Sequence, residues 1–277
     1  MTAVLDDMDS RPGSTTSLLR TVIGLYLREA GGWMASASLV QLMLALDTPA
    51  SRTRTALTRL RKKGVVVATA RDGLTGYEVD ARAARMLERG DRRIHTPRSM
   101  DAHDPWCLIS FSVPESERES RHQLRRQLHW TGCGMVSPGL WVAPDYLRTE
   151  VEEILQSLGL RGRAVLFTTS PPHVTGELRD VVADWWDLGA IAGLYRDFIK
   201  FTDGIPAGDV KPDAQAFATY VNLIDRWRMI PYLDPGLPAD CLPVDWPGGQ
   251  GVELFQRISG SHALASRAFV NFRLGAP

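Results

Sequence analysis

Residues 48–63, TPASRTRTALTRLRKK, bring guanidinium, ammonium and hydroxyl groups together without a single carboxylate. Arg52, Thr55, Arg59 and Lys62 recur at helical spacing and form one stripe, flanked by Arg54, Thr58 and Arg61, with Lys63 at the end. The chemistry open to such a stripe is recognition of a polyanion. Arg pairs with phosphates or guanine edges, and Thr reaches phosphates or thymine methyls. Thr53, Ala56, Leu57 and Leu60 give the same segment a narrow apolar face. Thr48 is expected as N-cap, Pro49 as the first helical residue and Gly64 as the stop. Basic helices are also commonly just solvated faces, so the flanking elements must decide.

Those elements favour DNA. Residues 17–29 read as an amphipathic helix with Leu18, Leu19, Val22, Ile23 and Tyr26 inward, ended by Gly31-Gly32. Residues 36–46 read as a second, with Leu39, Leu42, Met43 and Leu46 on one side. Only Asp47-Thr48 separates it from the basic helix, which is helix-turn-helix spacing. Behind the basic helix comes the β-branched run Val65–Thr69, turn signals at Asp72-Gly73 and Thr75-Gly76, and a return to strand character at Tyr77-Glu78-Val79. Helix, helix, basic helix and hairpin in that order predict a winged helix. Arg71, near the hairpin tip, is expected either to touch phosphate or the minor groove or to be an ordinary exposed loop residue.

Across 277 residues the 32 Lys and Arg balance 32 Asp and Glu, so net charge gives no sign of nucleic acid and only charge placement does. Basic residues gather at 52–63 and 82–98, while acidic ones are frequent in the C-terminal part. Cys107, Cys133 and Cys241 form no CxxC and no zinc spacing; reduced, partly buried thiols of a cytoplasmic protein are expected. The acidic, polar N-terminus has no signal-peptide core, no apolar run suits a bilayer, and residues 1–14 are expected to be disordered.

The fold class expected is α+β in three segments. Residues 15–96 form the winged-helix DNA-binding domain. Residues 105–172 follow the order βαββαβ of a ferredoxin-like domain, from WCLISFSVP at 106–114 to RGRAVLFTTSPP at 161–172, with Asp145 capping the second helix. Small sheets of this kind pair across two-fold axes, so this segment is the candidate dimerisation unit. Residues 176–277 are expected as a helical effector or dimerisation domain, with helical stretches at 176–201, 213–233 and 251–269. This third segment is rich in aromatics, among them Trp185, Trp186, Tyr195, Trp227, Tyr232 and Trp246. Core packing explains them; so does an effector pocket, in which Arg196, Arg226 and Arg228 would meet a carboxylate or the phosphates of a CoA.

At this point the chain resembles the PaaX family of bacterial transcriptional regulators, from about residue 18 to residue 258. The resemblance is carried by RTALTRLRKKG (54–64), ARMLERGDRRIH (84–95), WCLISFSVPESERESRHQLRRQLHWTGCGMVSPGLWVAP (106–144), WDLGAIAGLYRDFIKF (186–201) and LIDRWRMIPYLDPGLPADCLPVDWPG (223–248). It implies a homodimeric repressor on a palindromic double-stranded operator, released by a small-molecule effector. In the namesake members, which govern phenylacetic acid catabolism, that effector is the aryl-CoA thioester phenylacetyl-CoA. One departure is visible: Val65 stands where a tryptophan often follows the glycine.

Other classes remain to be weighed. The central segment also resembles the small ferredoxin-like nucleases of CRISPR systems, but its first strand, Ile109–Val113, lacks the carboxylate that a divalent metal needs there. The six histidines form neither HxxxH nor a Ser-His-Asp pattern, so no catalytic residue, metal or cofactor is assigned. A winged helix that binds another protein, or a transcriptional activator without CoA response, are the remaining alternatives. A steep salt dependence of binding to an oligonucleotide separates DNA recognition from the protein-binding module.

Overall fold

The structure is a computed structural model that describes residues 11–275, without the side chain of Arg85. The first helix, α1 (Thr15–Val22), starts where the Ser14 hydroxyl accepts the Ser17 N–H, and it continues through a π-helical turn at Ile23–Leu27. Its inward face is Leu18, Leu19, Val22, Ile23 and Leu27. A short strand β1 (Trp33–Ala35) leads to α2 (Ser36–Leu44) and α3 (Ala50–Lys62), followed by the hairpin β2 (Val66–Arg71) and β3 (Leu74–Val79) and by α4 (Ala81–His95). Of the 1–14 stretch expected to be disordered, residues 1–10 lie outside the described residues. Gly13 and Ser14 are held instead, because the Gly13 N–H donates to Asp225 Oδ2 at 2.7 Å.

Three strands form one antiparallel sheet in the order β1-β3-β2. The hairpin turns at Asp72-Gly73, both at positive φ (51° and 77°), as a two-residue turn of matching twist requires. Thr75-Gly76, expected as a turn, lies inside β3, where Gly76 pairs with Thr69 and Ala35. The reason is space. A Cβ on Gly76 would stand 2.4 Å from the Trp33 ring, so the glycine admits the indole.

The middle of the chain runs β4 (Trp106–Phe111), α5 (Arg118–His129), β5 (Gly134–Ser137), β6 (Leu140–Pro144), α6 (Arg148–Ser157) and β7 (Ala164–Thr169). Its strands form one antiparallel sheet in the order β5-β6-β4-β7. The side of β4 that bears Cys107, Ile109 and Phe111 packs on Leu124 and Leu128 of α5 and on Val151 and Leu155 of α6. Burial pushes the Cys107 thiol up to about 11. Asp145, expected as a helix cap, serves another purpose: its Oδ1 accepts from Arg148 Nη2 at 2.6 Å and from Thr168 at 3.1 Å, tying the start of α6 to β7.

The remaining helices are α7 (Leu178–Trp185), α8 (Leu188–Thr202), α9 (Ala214–Trp227), α10 (Ile230–Leu233) and α11 (Gly248–Leu274). Stretch 176–201 is therefore two helices and not one. It breaks at Trp186, whose buried indole donates to the Gly132 carbonyl at 2.8 Å and meets the Trp106 ring edge-on. None of the described helices is long and apolar enough to cross a membrane.

The fold is thus mixed α and β with two small antiparallel sheets, in two compact units. One holds the described residues up to His95, together with Phe198–Arg228 and those from Gln250 onward; the other holds Thr96–Asp197 and Met229–Gly249. Segment 176–277, expected as one helical domain, is therefore shared out. In the first unit Trp227 stacks on Phe255 (4.5 Å, 11° between rings), packs beside Phe198 and donates its indole N–H to the Ile94 carbonyl. In the second, Tyr195 packs edge-on to Trp246 and donates to Asp234 Oδ2 at 2.7 Å.

Candidate nucleic-acid interface

Helix α3 buries Thr53, Ala56, Leu57 and Leu60, the apolar face expected from their spacing. This turns Arg52, Arg54, Thr55, Thr58, Arg59, Arg61 and Lys62 outward, all exposed, with Lys63 half-buried at the end. Among the described residues none of Arg52, Arg54, Arg59, Arg61 or Lys62 meets a protein carboxylate, so the face keeps its positive charge. The threonine hydroxyls are less free: Thr55 donates to the Ser51 carbonyl (3.0 Å) and Thr58 to that of Arg54 (3.1 Å). Each hydroxyl keeps its acceptor lone pairs and must turn away from its carbonyl to donate to a phosphate.

The ends of α3 are set by backbone geometry. Helical structure begins at Ala50, with Pro49 in extended conformation before it. Thr48, expected as the cap, is buried and donates to the Leu46 carbonyl at 3.3 Å, bracing the turn from α2. At the other end Gly64 takes φ +69°; its N–H bonds the Arg61 carbonyl, and the Val65 N–H bonds that of Leu60. This is the paired 5→2 and 6→1 closure of a Schellman motif, and fully buried Val65 supplies its apolar contact. The residue in the family's tryptophan position thus closes α3 onto its own domain.

Arg71 is engaged within the chain. Its Nη2 lies 2.8 Å from Glu78 Oε1, and its guanidinium carbon is 5.7 Å from the Trp33 ring centroid. A half-exposed pair of this kind contributes only about 0–1 kcal/mol, so a phosphate can replace the glutamate at little cost. Ser14, Thr15 and Thr16, not among the residues expected at the basic face, line a shallow cleft together with Arg59, Lys62 and Lys63. A Ser-Thr-Thr run ahead of an apolar helical pattern is a helix-start signal, and it sits at 14–16.

The five effector candidates are divided between the two units. Trp185, Trp186 and Arg196 belong to the second unit, Arg226 and Arg228 to the first. Trp186 is buried against Trp106, and Arg196 faces Asp245 at 3.2 Å on the surface. Arg226 lies over the Phe201 ring at 4.4 Å. Arg228 is buried, with Nε 3.3 Å from Asp225 and Nη2 2.8 Å from the Ser17 hydroxyl. Among the described residues no three His, Cys, Asp or Glu side chains are placed to hold a metal ion.

Comparison with known proteins covers the chain almost end to end. Residues 14–83 match the model of the PaaX-like protein, residues 99–182 the PaaX protein central Cas2-like domain, and residues 186–272 the PaaX-like protein C-terminal domain. The transcriptional repressor PaaX of Escherichia coli is 27% identical over 268 residues, covering 94% of this chain and 84% of that protein. Among solved structures, the uncharacterised protein Rv0674 from Mycobacterium tuberculosis superimposes with a TM-score of 0.56 at 24% identity, over 90% of this chain and 96% of the other, a likeness of fold.

Proposed function

Since the chain belongs to the PaaX family of transcriptional regulators, we propose that it is a homodimeric repressor that grips a palindromic operator with α3 and lets go when a small-molecule effector binds. The observation that carries this is the carboxylate-free outer face of α3 on a chain whose charges balance overall, backed by a short hairpin. Helices α1 to α3 with β2 and β3 are read as a winged helix, and β4 to β7 with α5 and α6 as a ferredoxin-like dimerisation domain.

Arg52, Arg54, Arg59, Arg61, Lys62 and Lys63 supply phosphate and base contacts; Thr55 and Thr58 supply hydroxyls or methyls; Arg71 supplies the wing contact. Two copies of α3 in a dimer must sit about 34 Å apart, or a multiple of this, to enter successive major grooves on one side of the duplex. The effector acts by its differential affinity for the dimer geometries that do and do not meet this spacing. An aryl-CoA thioester is the first candidate, with Trp185, Trp186 and Arg196 as the part of the aromatic-rich segment proposed to meet it, and the cytoplasm is the setting.

The test is protection of the DNA upstream of the protein's own gene. Footprinting should show two related half-sites in inverted orientation, with affinity falling steeply as salt rises. Equal affinity for unrelated DNA at moderate salt would contradict the operator reading.

A further inference from the structure

The π-helical turn at Ile23–Leu27 forms one wall of a cavity of about 320 Å³ in the first unit, completed by the end of α4, by α9 and by α11. That volume lies at the small end of the roughly 300–1,000 Å³ usual for small-molecule sites. π-turns are rare, and where they occur they often mark functional sites. Gly24 lines this wall, and Tyr26, His95 and Tyr220 bring three rings to the cavity.

The charges around the cavity form two partly exposed pairs. Arg28 Nη2 bonds Asp91 Oδ2 at 2.5 Å and the Gly24 carbonyl at 3.1 Å; Arg267 Nη2 bonds Glu29 Oε1 at 2.7 Å. Asp91 takes only one edge atom of its arginine. The neighbouring Arg28 Nε is buried and has no acceptor, whereas no Asp or Glu oxygen among the described residues is left buried and unpaired. The unmet need is therefore for an acceptor, and the side-by-side Nε and Nη2 donors match the two oxygens of a carboxylate. Releasing Asp91, 43% exposed, back to water costs little.

We propose that this cavity binds a small carboxylic acid, whose carboxylate replaces Asp91 on the Nε–Nη2 edge of Arg28 while its apolar body lies against His95 and Tyr220. Burial keeps the His95 imidazole below its usual range, and the Tyr220 phenol above its own, so both rings meet the ligand uncharged near neutral pH. The π-turn runs directly into α1, which packs on α3. A ligand seated there stands one helix away from the basic face.

The full-length chain should be titrated with benzoate, benzyl alcohol and benzylamine, with intermolecular NOEs recorded to the His95 and Tyr220 ring protons. The expected result is millimolar benzoate binding with both sets of NOEs, at least tenfold weaker binding of the alcohol and the amine, and at least a tenfold loss for benzoate in Arg28→Lys. Absent NOEs, equal binding of the alcohol, or undiminished affinity in Arg28→Lys would overturn the site. If Arg28→Lys does not fold, the NOEs in the unaltered chain decide alone. Only a final readout, weaker operator binding with benzoate present, rests on the repressor reading. A chain that binds benzoate but no DNA contradicts that reading and leaves the site standing; one that binds DNA but no benzoate contradicts the site alone.

Discussion

Ser17 donates its hydroxyl hydrogen to Asp225 Oδ1 across 2.6 Å, although 208 residues separate them. Both are fully buried, and the same carboxylate accepts from Thr21 (2.9 Å), from Arg228 Nε (3.3 Å) and from the Gly13 N–H. This network fixes the N-terminal helix to α9, so the helix that backs the basic face is held by the C-terminal part of the chain.

Removing the carboxylate leaves Arg228 buried without its ion-pair partner. Asp225→Ala should therefore destabilise the first unit by about 3–5 kcal/mol. Ser17→Ala, which deletes a neutral member, should cost about 1–3 kcal/mol. Urea unfolding curves of the two variants check the order; equal and negligible losses would mean that the network does not hold α1.

Gly76 and Trp33 make a second interlock, since any Cβ at 76 would collide with the indole at 2.4 Å. Gly76→Val should displace Trp33, loosen the cation–π seat of Arg71 and lower the midpoint of thermal unfolding. Indole fluorescence follows the displacement, and an unchanged spectrum and midpoint would show that the sheet yields without cost.

The chemistry of α3 was legible because a helix that buries one face and bears only basic and hydroxyl groups elsewhere leaves a strong periodic pattern. The hairpin was legible from its β-branched run and the Asp72-Gly73 pair. Three-residue β1 was not, since Trp33–Ala35 is too short for any periodicity and is held mostly by pairing with β3. Nor was the division of the C-terminal helices between two units. Trp186 and Trp227 look alike in sequence, because an apolar pattern records that a face is buried but not against what. The π-turn and the Arg28 cavity left no trace at all, since the contacts that make them come from Asp91, Tyr220 and Arg267.

His95 gives a pH prediction. Burial lowers its folded-state affinity for a proton below the ordinary 6.5, with Asp91 partly opposing. The unfolded chain thus binds the proton more readily, and the stability tied to neutral His95 is present above pH 6.5 and lost as pH falls below it. His95→Gln should flatten that acid-side decline relative to the unaltered chain. Parallel stability–pH curves for the two proteins would show that the imidazole is not the group responsible.

Whether α3 grips DNA is decided by fluorescence anisotropy on the protein's own upstream DNA at two salt concentrations, with the unaltered chain and the double variant Arg54→Ala, Arg59→Ala. Both residues are exposed, so the variant should keep its unfolding midpoint and its oligomeric state. The expected result is a loss of at least tenfold in affinity and a shallower dependence on salt, because each lost phosphate contact lowers the slope by about one. Undiminished affinity with an unchanged salt slope would contradict the assignment of α3 as the helix that grips DNA.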